Sequence, residues 1–311
     1  MRLLSISLVM AVALAAGACG EQELDRKGSA QPQGAKVRIT LGTQDFPEAR
    51  ILGELWRQAL AVNGYTVNLR KRMGPTEDLD KAVLDGTIDG HVAYTGTSLS
   101  IVAGEEVSGL EPEETFDQVK AFYATRGMAT SGMTPFEDVD AIATTDAFAR
   151  ENKLTTIQDL RDLDSFTLGA RPEFEGLYLG LEGLEQVYGL TNAEFEPVTL
   201  GAQYTALDEG DVDAANVFTT DPQLEGGDYT VLEDPESLFG SQNAVMVVDA
   251  DKLESVGKEQ FLRVVDTVNG LLTTDVIVGL NKQVNDGGDD GEVARSFLRR
   301  EGLLEPLEDR G

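Results

Sequence analysis

A chain of 311 residues with 25 Lys+Arg against 55 Asp+Glu, one His and one Cys carries a formal net charge of −30. That balance disfavours a grip on nucleic-acid phosphates or anionic lipid, since no basic cluster accumulates along the sequence, while an apolar content of 41% is that of a globular protein. One Cys excludes an internal disulfide framework and multi-Cys metal sites, and one His excludes multi-His zinc sites.

At the N-terminus Arg2 precedes an apolar run over 3–16, and Gly17-Ala18 lead into Cys19. Such a run is too short to span a bilayer comfortably and has signal-peptide anatomy. Ala16-Gly17-Ala18-Cys19 resembles bacterial lipoprotein signals, although Ala16 stands where Leu is usual. This implies a signal peptide over 1–18, lipidation of Cys19, and a flexible tether through 19–35 whose one Leu and lack of aromatics cannot build a core. Removing Arg2 leaves the mature chain more acidic still. No later stretch reaches the ~18 apolar residues of a membrane span. The expected location is the extracytoplasmic face of the cell envelope, held there by lipid.

From residue 36 the pattern alternates strand and helix. A strand is expected over 37–41, ending at Gly42-Thr43-Gln44-Asp45-Phe46-Pro47-Glu48. Asp45 and Glu48 have capping-box spacing, Pro47 suits a first turn, and Ile51, Leu52, Leu55, Ala59 and Leu60 recur at helical period. Then follow a strand over 65–69, a helix over 79–84, a strand over 88–94 and a helix over 111–123. A second cluster has strands over 140–144, 166–170, 195–200 and 212–218, with helices over 176–188 and 202–207. The tail returns a strand over 244–248 and three amphipathic helices around 258–271, 273–284 and 290–300. Alternation of this kind implies mostly parallel sheets, in two α/β lobes or in one doubly wound enzyme.

Catalytic motifs are missing. No GxxxxGK[ST], GxGxxG, HExxH or GxSxG occurs. Ser255-Val256-Gly257-Lys258 fits SxxK, but without SDN or KTG companions it reads as a helix start. His91 is the one imidazole available to a Ser-His-Asp mechanism, and its place beside Val92 in a strand reads as packing. Residues 285–292, NDGGDDGE, do not have the spacing of a calcium loop and read as an interhelical connection. No catalytic residue, metal or cofactor is expected.

The segment ITLGTQDFPEARILGELWRQAL, residues 39–60, resembles the start of substrate-binding proteins of osmoprotectant ABC importers, which bind glycine betaine, choline or related quaternary amines. Gly74-Pro75-Thr76-Glu77 matches their GST turn, and Asp85-Gly86-Thr87-Ile88-Asp89 runs into Tyr94-Thr95-Gly96-Thr97, their YTGT. Tyr204-Thr205-Ala206-Leu207 through Asp213 to Phe218-Thr219-Thr220-Asp221 follows in the same order. The likeness covers nearly all of 36–305. It implies a type II periplasmic-binding-protein fold, with lobe 1 from 36–137 plus 240–311, lobe 2 from 138–239, crossings near Phe136 and Phe239, and an interlobe ligand cleft.

The same resemblance implies a site. A quaternary ammonium has no N–H, so it is held by aromatic faces. Four tyrosines commonly form that box; their positions here fall on Tyr94, Asp140, Phe218 and Gln242. The family's carboxylate-clamping Lys and Arg fall on Gln44 and Leu177, while Thr97 keeps its hydroxyl. Losing both cations disfavours a carboxylate ligand, because an unpaired buried anion is strongly penalised. The expectation is therefore a choline-like or other cationic or neutral polar solute, delivered by a monomer to a permease and its ATPase. A sensing or orphan module of the same fold and an exported α/β hydrolase are the alternatives.

Overall fold

The computed structural model describes residues 38–307, so the expected signal peptide, Cys19 and tether lie outside the described residues. β1 (Arg38–Gly42), β2 (Thr66–Arg70), β3 (Gly90–Tyr94), β4 (Met128–Thr130) and β10 (Ala244–Asp249) form one sheet, ordered β2-β1-β3-β10-β4. β5 (Asp140–Thr145), β6 (Phe166–Ala170), β7 (Ala193–Pro197), β8 (Ala214–Phe218) and β9 (Tyr229–Val231) form another, ordered β7-β6-β8-β5-β9. β1 is parallel to β2 and β3, and β6 is parallel to β7 and β8. β10 runs antiparallel to β3 and β4, as β5 does to β8 and β9. The two sheets therefore share one topology. In each, the antiparallel member is the strand that follows a crossing of the chain between sheets.

The first sheet carries α1 (Pro47–Val62), α2 (Thr76–Leu84), the single turn α3 (Thr95–Thr97) continued as a π-helical segment over Ser98–Ala103, and α4 (Pro112–Thr125). α5 (Asp146–Asn152), α6 (Leu181–Tyr188) and α7 (Gln203–Glu209) belong to the second, and α8 (Ala250–Val256), α9 (Lys258–Asn269), α10 (Thr274–Asn285) and α11 (Asp290–Arg300) close the described chain. The apolar face read from sequence on α1 is the one it buries: Ile51, Leu52, Leu55 and Leu60 are fully enclosed with Trp56, whose indole N–H donates to Asn269 Oδ1 at 2.8 Å. α9, α10 and α11 all pack on that helix. Asp290, the first residue of α11 and part of the NDGGDDGE segment, joins Lys71 at 2.7 Å and Arg50 at 3.0 Å.

Four local readings change. The Asp45–Glu48 spacing forms no capping box. Phe46 is the N-cap without a side-chain bond, Pro47 is the first helical residue, and Glu48 turns inward while Asp45 pairs with Arg72 at 3.0 Å. The helix expected from 176 starts only at Leu181, because Pro172 opens a 3₁₀ turn over Pro172–Gly176 and Leu177 is extended. β7 lies earlier than the strand read over 195–200 and ends at Pro197, which has no N–H for a ladder. Lys258 does open a helix, but Ser255 belongs to the one before it.

The YTGT motif serves the joint between the sheets. The Thr95 backbone N–H donates to Asn243 O at 3.0 Å, its hydroxyl bridges Ser241 O and the Asn243 N–H, and the Thr97 N–H donates to Gln242 Oε1 at 3.0 Å. A side chain at Gly96 would stand 2.6 Å from Ser241 O, so this approach requires glycine. The outgoing and returning crossings lie side by side, with Glu137 bridged to Asn243 and Asp138 N–H donating to Gln242 O at 3.0 Å. Phe136 and Phe239 are buried there.

Candidate functional site

A cavity of about 280 Å³ opens between the sheets. Asp45, Phe46 and Glu48 at the start of α1 and Asn281 on α10 form one wall; Gln203, Phe218, Thr220, Asp221 and Gln223 form the other, and Asp138 stands at the crossing. None of the fifteen lining residues is Lys, Arg or His. Phe46 and Phe218 are its aromatic members.

Glu48 is buried in the wall. Its Oε1 accepts from the Tyr94 hydroxyl at 2.9 Å and its Oε2 from Asn281 Nδ2 at 3.0 Å. Asp138 accepts from the Thr220 hydroxyl at 2.7 Å, and Asp221 accepts from the Tyr204 hydroxyl at 2.8 Å and the Phe218 N–H at 3.0 Å. Every one of these donors is neutral. Loss of hydration therefore dominates: it raises Glu48 and Asp221 above the usual carboxylate range and Asp138 well above it, and mutual repulsion adds to the effect. A cation in the cavity would restore the ionised forms. Asn281 Oδ1 and Gln223 Oε1 are buried without a hydrogen-bond partner in the protein. Among the described residues no group of three or more His, Cys, Asp or Glu is arranged to hold a metal.

Of the residues expected at the site, only Phe218 lines this cavity. Tyr94 lies behind it, with its ring centroid 5.8 Å from that of Phe46 and its hydroxyl on Glu48. Gln44 is buried and donates to Thr76 Oγ1 at 3.2 Å and Val92 O at 3.0 Å. Gln242 accepts from Thr97 as part of the joint, and neither reaches the cavity lining. Leu177 is half-buried after the 3₁₀ turn, away from that lining. Asp140 is held by Arg171 through both terminal nitrogens, at 2.7 and 3.2 Å, and by Asn216 Nδ2 at 2.8 Å. The Arg171 guanidinium also stacks over Phe174 and Phe218, with its carbon 5.3 and 5.5 Å from the ring centroids.

Residue-type reasoning passed over Phe46, Glu48, Asp138, Asn281 and Arg171. Phe46 and Glu48 sit inside the segment that carried the resemblance, and Asp221 closes Phe218-Thr219-Thr220-Asp221, so position within those motifs was the available signal. Asn281 had none. His91 is wholly buried, with Nδ1 2.7 Å from Val92 O, and burial depresses its pKa to about 4. An imidazole so enclosed cannot serve an exported hydrolase.

A family model described as the substrate binding domain of ABC-type glycine betaine transport systems matches residues 37–300. An ergothioneine transport permease/ergothioneine binding protein of Helicobacter pylori is 22% identical over 271 residues, covering 85% of this chain and 48% of that protein. The chain thus spans about half the length of that relative. A carnitine transport binding protein of Listeria monocytogenes is 24% identical over 285 residues, covering 87% of this chain and 89% of that one. Among solved structures, one described as a glycine betaine/carnitine/choline ABC transporter superposes with a TM-score of 0.73 at 21% identity, covering 87% of this chain and all of that one. Likeness at that identity establishes the two-lobed binding-protein fold.

Proposed function

The chain belongs to the family of substrate-binding domains of ABC-type glycine betaine transport systems, and from that premise we propose that it captures a small cationic or neutral polar solute that carries no carboxylate. It is a solute-binding protein of an ABC importer and not an enzyme. The observation supporting the ligand class is the cavity itself: Glu48, Asp138 and Asp221 on or beside its walls, two phenylalanines, and no Lys, Arg or His among its lining residues. A ligand carboxylate placed there would add an anion to buried anions, whereas a cation gains from each of them. The guanidinium groups near the lining are already paired, Arg171 with Asp140 and Asn216, and Arg50 and Arg72 with Asp45.

In this reading lobe 1 (36–137 plus 240–311) and lobe 2 (138–239) close over the ligand, and the closed form docks on a permease with its ATPase. The protein acts as a monomer on the extracytoplasmic face, tethered through lipidated Cys19. No helix among the described residues is long and apolar enough to cross a membrane.

Calorimetric titration of matched pairs tests the ligand class: choline against glycine betaine, and ethanolamine against glycine. The member without a carboxylate should bind ~10–100-fold more tightly in each pair, the scale of one lost charge-assisted hydrogen bond. Tighter binding of betaine and glycine would overturn the reading. Cys19→Ala should move the protein from membrane to soluble fractions; retention of that variant on membranes would remove the lipid anchor.

A further inference from the structure

Two residues that line the cavity hold buried acceptors without donors. Asn281 is 6% exposed, and its amide orientation is set by two acceptors, because Nδ2 donates to Glu48 Oε2 at 3.0 Å and to Thr220 O at 3.2 Å. That leaves Oδ1 as a buried acceptor without a donor, on a residue that lines the cavity. Gln223 Oε1 is a second such acceptor. The hydroxyls of Tyr94, Thr220 and Tyr204 are committed to Glu48, Asp138 and Asp221, so these donors are already used. Buried acceptors are ordinarily satisfied, and of the six unpartnered buried side-chain atoms among the described residues these two are the ones on residues that line the cavity, where a ligand donor can reach them.

We propose that the ligand is a protonated amine or guanidinium bearing at least one N–H, not a fully alkylated ammonium. The inference rests on the cationic-solute reading above and narrows it. A quaternary ammonium has no hydrogen to give Asn281 Oδ1 and depends on a surrounding aromatic box. Here two aromatic residues line the cavity, and Tyr94 is behind them with its hydroxyl spent. An N–H cation instead donates to Asn281 Oδ1 while its charge meets Glu48 and Asp138, forming charge-assisted hydrogen bonds.

The test is a calorimetric series on the mature chain with ethanolamine, N-methylethanolamine, N,N-dimethylethanolamine and choline. Charge and the hydroxyl stay constant while the N–H count falls to zero. Affinity should drop roughly tenfold or more at the last step, from dimethylethanolamine to choline. Choline binding as tightly as dimethylethanolamine, or no member binding, would overturn the inference. The choline and betaine pair separates the two claims. If choline binds tightest and betaine weakly, only the N–H inference falls; if betaine binds tightest, the cationic reading falls with it. Asn281→Leu should bring dimethylethanolamine and choline to similar affinities, while Asn281→Asp, which keeps an acceptor, should preserve the preference. A purely structural role for Asn281 would weaken the whole series in proportion.

Discussion

On the second-lobe side of the cleft Asp140 is gripped by both terminal nitrogens of Arg171 and by Asn216, and the same guanidinium lies over Phe174 and Phe218. Two residues earlier, Asp138 lines the same cavity as Glu48, and each has only neutral hydroxyl or amide donors. The contrast separates acid that builds the protein from acid kept for something else. A buried carboxylate with a bidentate arginine is self-sufficient, whereas an acidic pair without a cation raises the free energy of the empty protein. Such uncompensated groups in a cleft are the signature of a binding site. In the empty protein they are a standing destabilisation that a cationic ligand would relieve.

The paired side gives the largest expected effect. Arg171→Ala leaves Asp140 with Asn216 as its one remaining side-chain donor, and breaking this partly buried pair costs about 2–3 kcal/mol. Urea unfolding should show that loss, and Arg171→Ala with Asp140→Asn should recover much of it. On the other side, Asp138→Asn should leave the empty protein unchanged or more stable while abolishing cation binding. If both single variants lose stability equally, the two acids are alike and the contrast is wrong.

The cleft acids also set a pH dependence, which must be separated from that of His91. Burial lowers the His91 pKa from 6.5 to about 4, so the unfolded chain takes up a proton first as pH falls. Stability from His91 is complete above 6.5 and is lost toward 4, by up to about 3 kcal/mol at 1.36 kcal/mol per unit. Glu48, Asp138 and Asp221 act in the opposite sense. Their folded pKa values lie above the ordinary 4.5 and 3.8, so acidification through the folded values stabilises the empty protein, fully below the unfolded ones. Among their neighbours, Asp45 is paired with Arg50 and Arg72, and Asp140 with Arg171. In a His91→Gln background, therefore, the melting temperature of the empty protein should climb as pH falls from neutrality toward the carboxylate range. Adding Glu48→Gln and Asp138→Asn should flatten that climb. A profile that those two substitutions leave unchanged would show that the cleft acids do not titrate as described.

Strand positions follow from the sequence pattern wherever a strand is long enough for its period to show. β6 was read over the same residues, 166–170, whereas β4 and β9, three residues each, are too short for period to show. The site was less legible because its partners come from distant parts of the chain. Arg171 and Asp140 are 31 residues apart, and Asn281 meets Glu48 across 233. Glu48 misled for a local reason: capping-box spacing is a real signal, but Pro47 already supplies the first turn and leaves the carboxylate free to face α10. The resemblance gives Tyr94 and Thr97 of the YTGT motif to the ligand, whereas the backbone or side-chain approaches of Thr95, Gly96 and Thr97 all close on 241–243 at the joint. Only packing reveals which atoms of a motif are used internally.

Tyr94 gives the smallest effect and the finest distinction. The family resemblance makes its ring one face of an aromatic box, whereas the structure has its hydroxyl donating to Glu48 Oε1 at 2.9 Å from behind the cavity. Tyr94→Phe keeps the ring and removes the donor. If the ring face held the ligand, this variant would bind normally at every pH and only Tyr94→Ala would fail. If the hydroxyl matters, Glu48 loses a bond that favours its ionised form, which is worth about 1 kcal/mol or somewhat more. Its pKa then rises further. Cation affinity of Tyr94→Phe should therefore fall only a few-fold near neutral pH, and the acid limb of its pH profile should move to higher pH. Calorimetry of dimethylethanolamine across that range reads both quantities. An unshifted limb with full affinity would return Tyr94 to the aromatic box; a shifted limb identifies it as the residue that keeps Glu48 charged for its ligand.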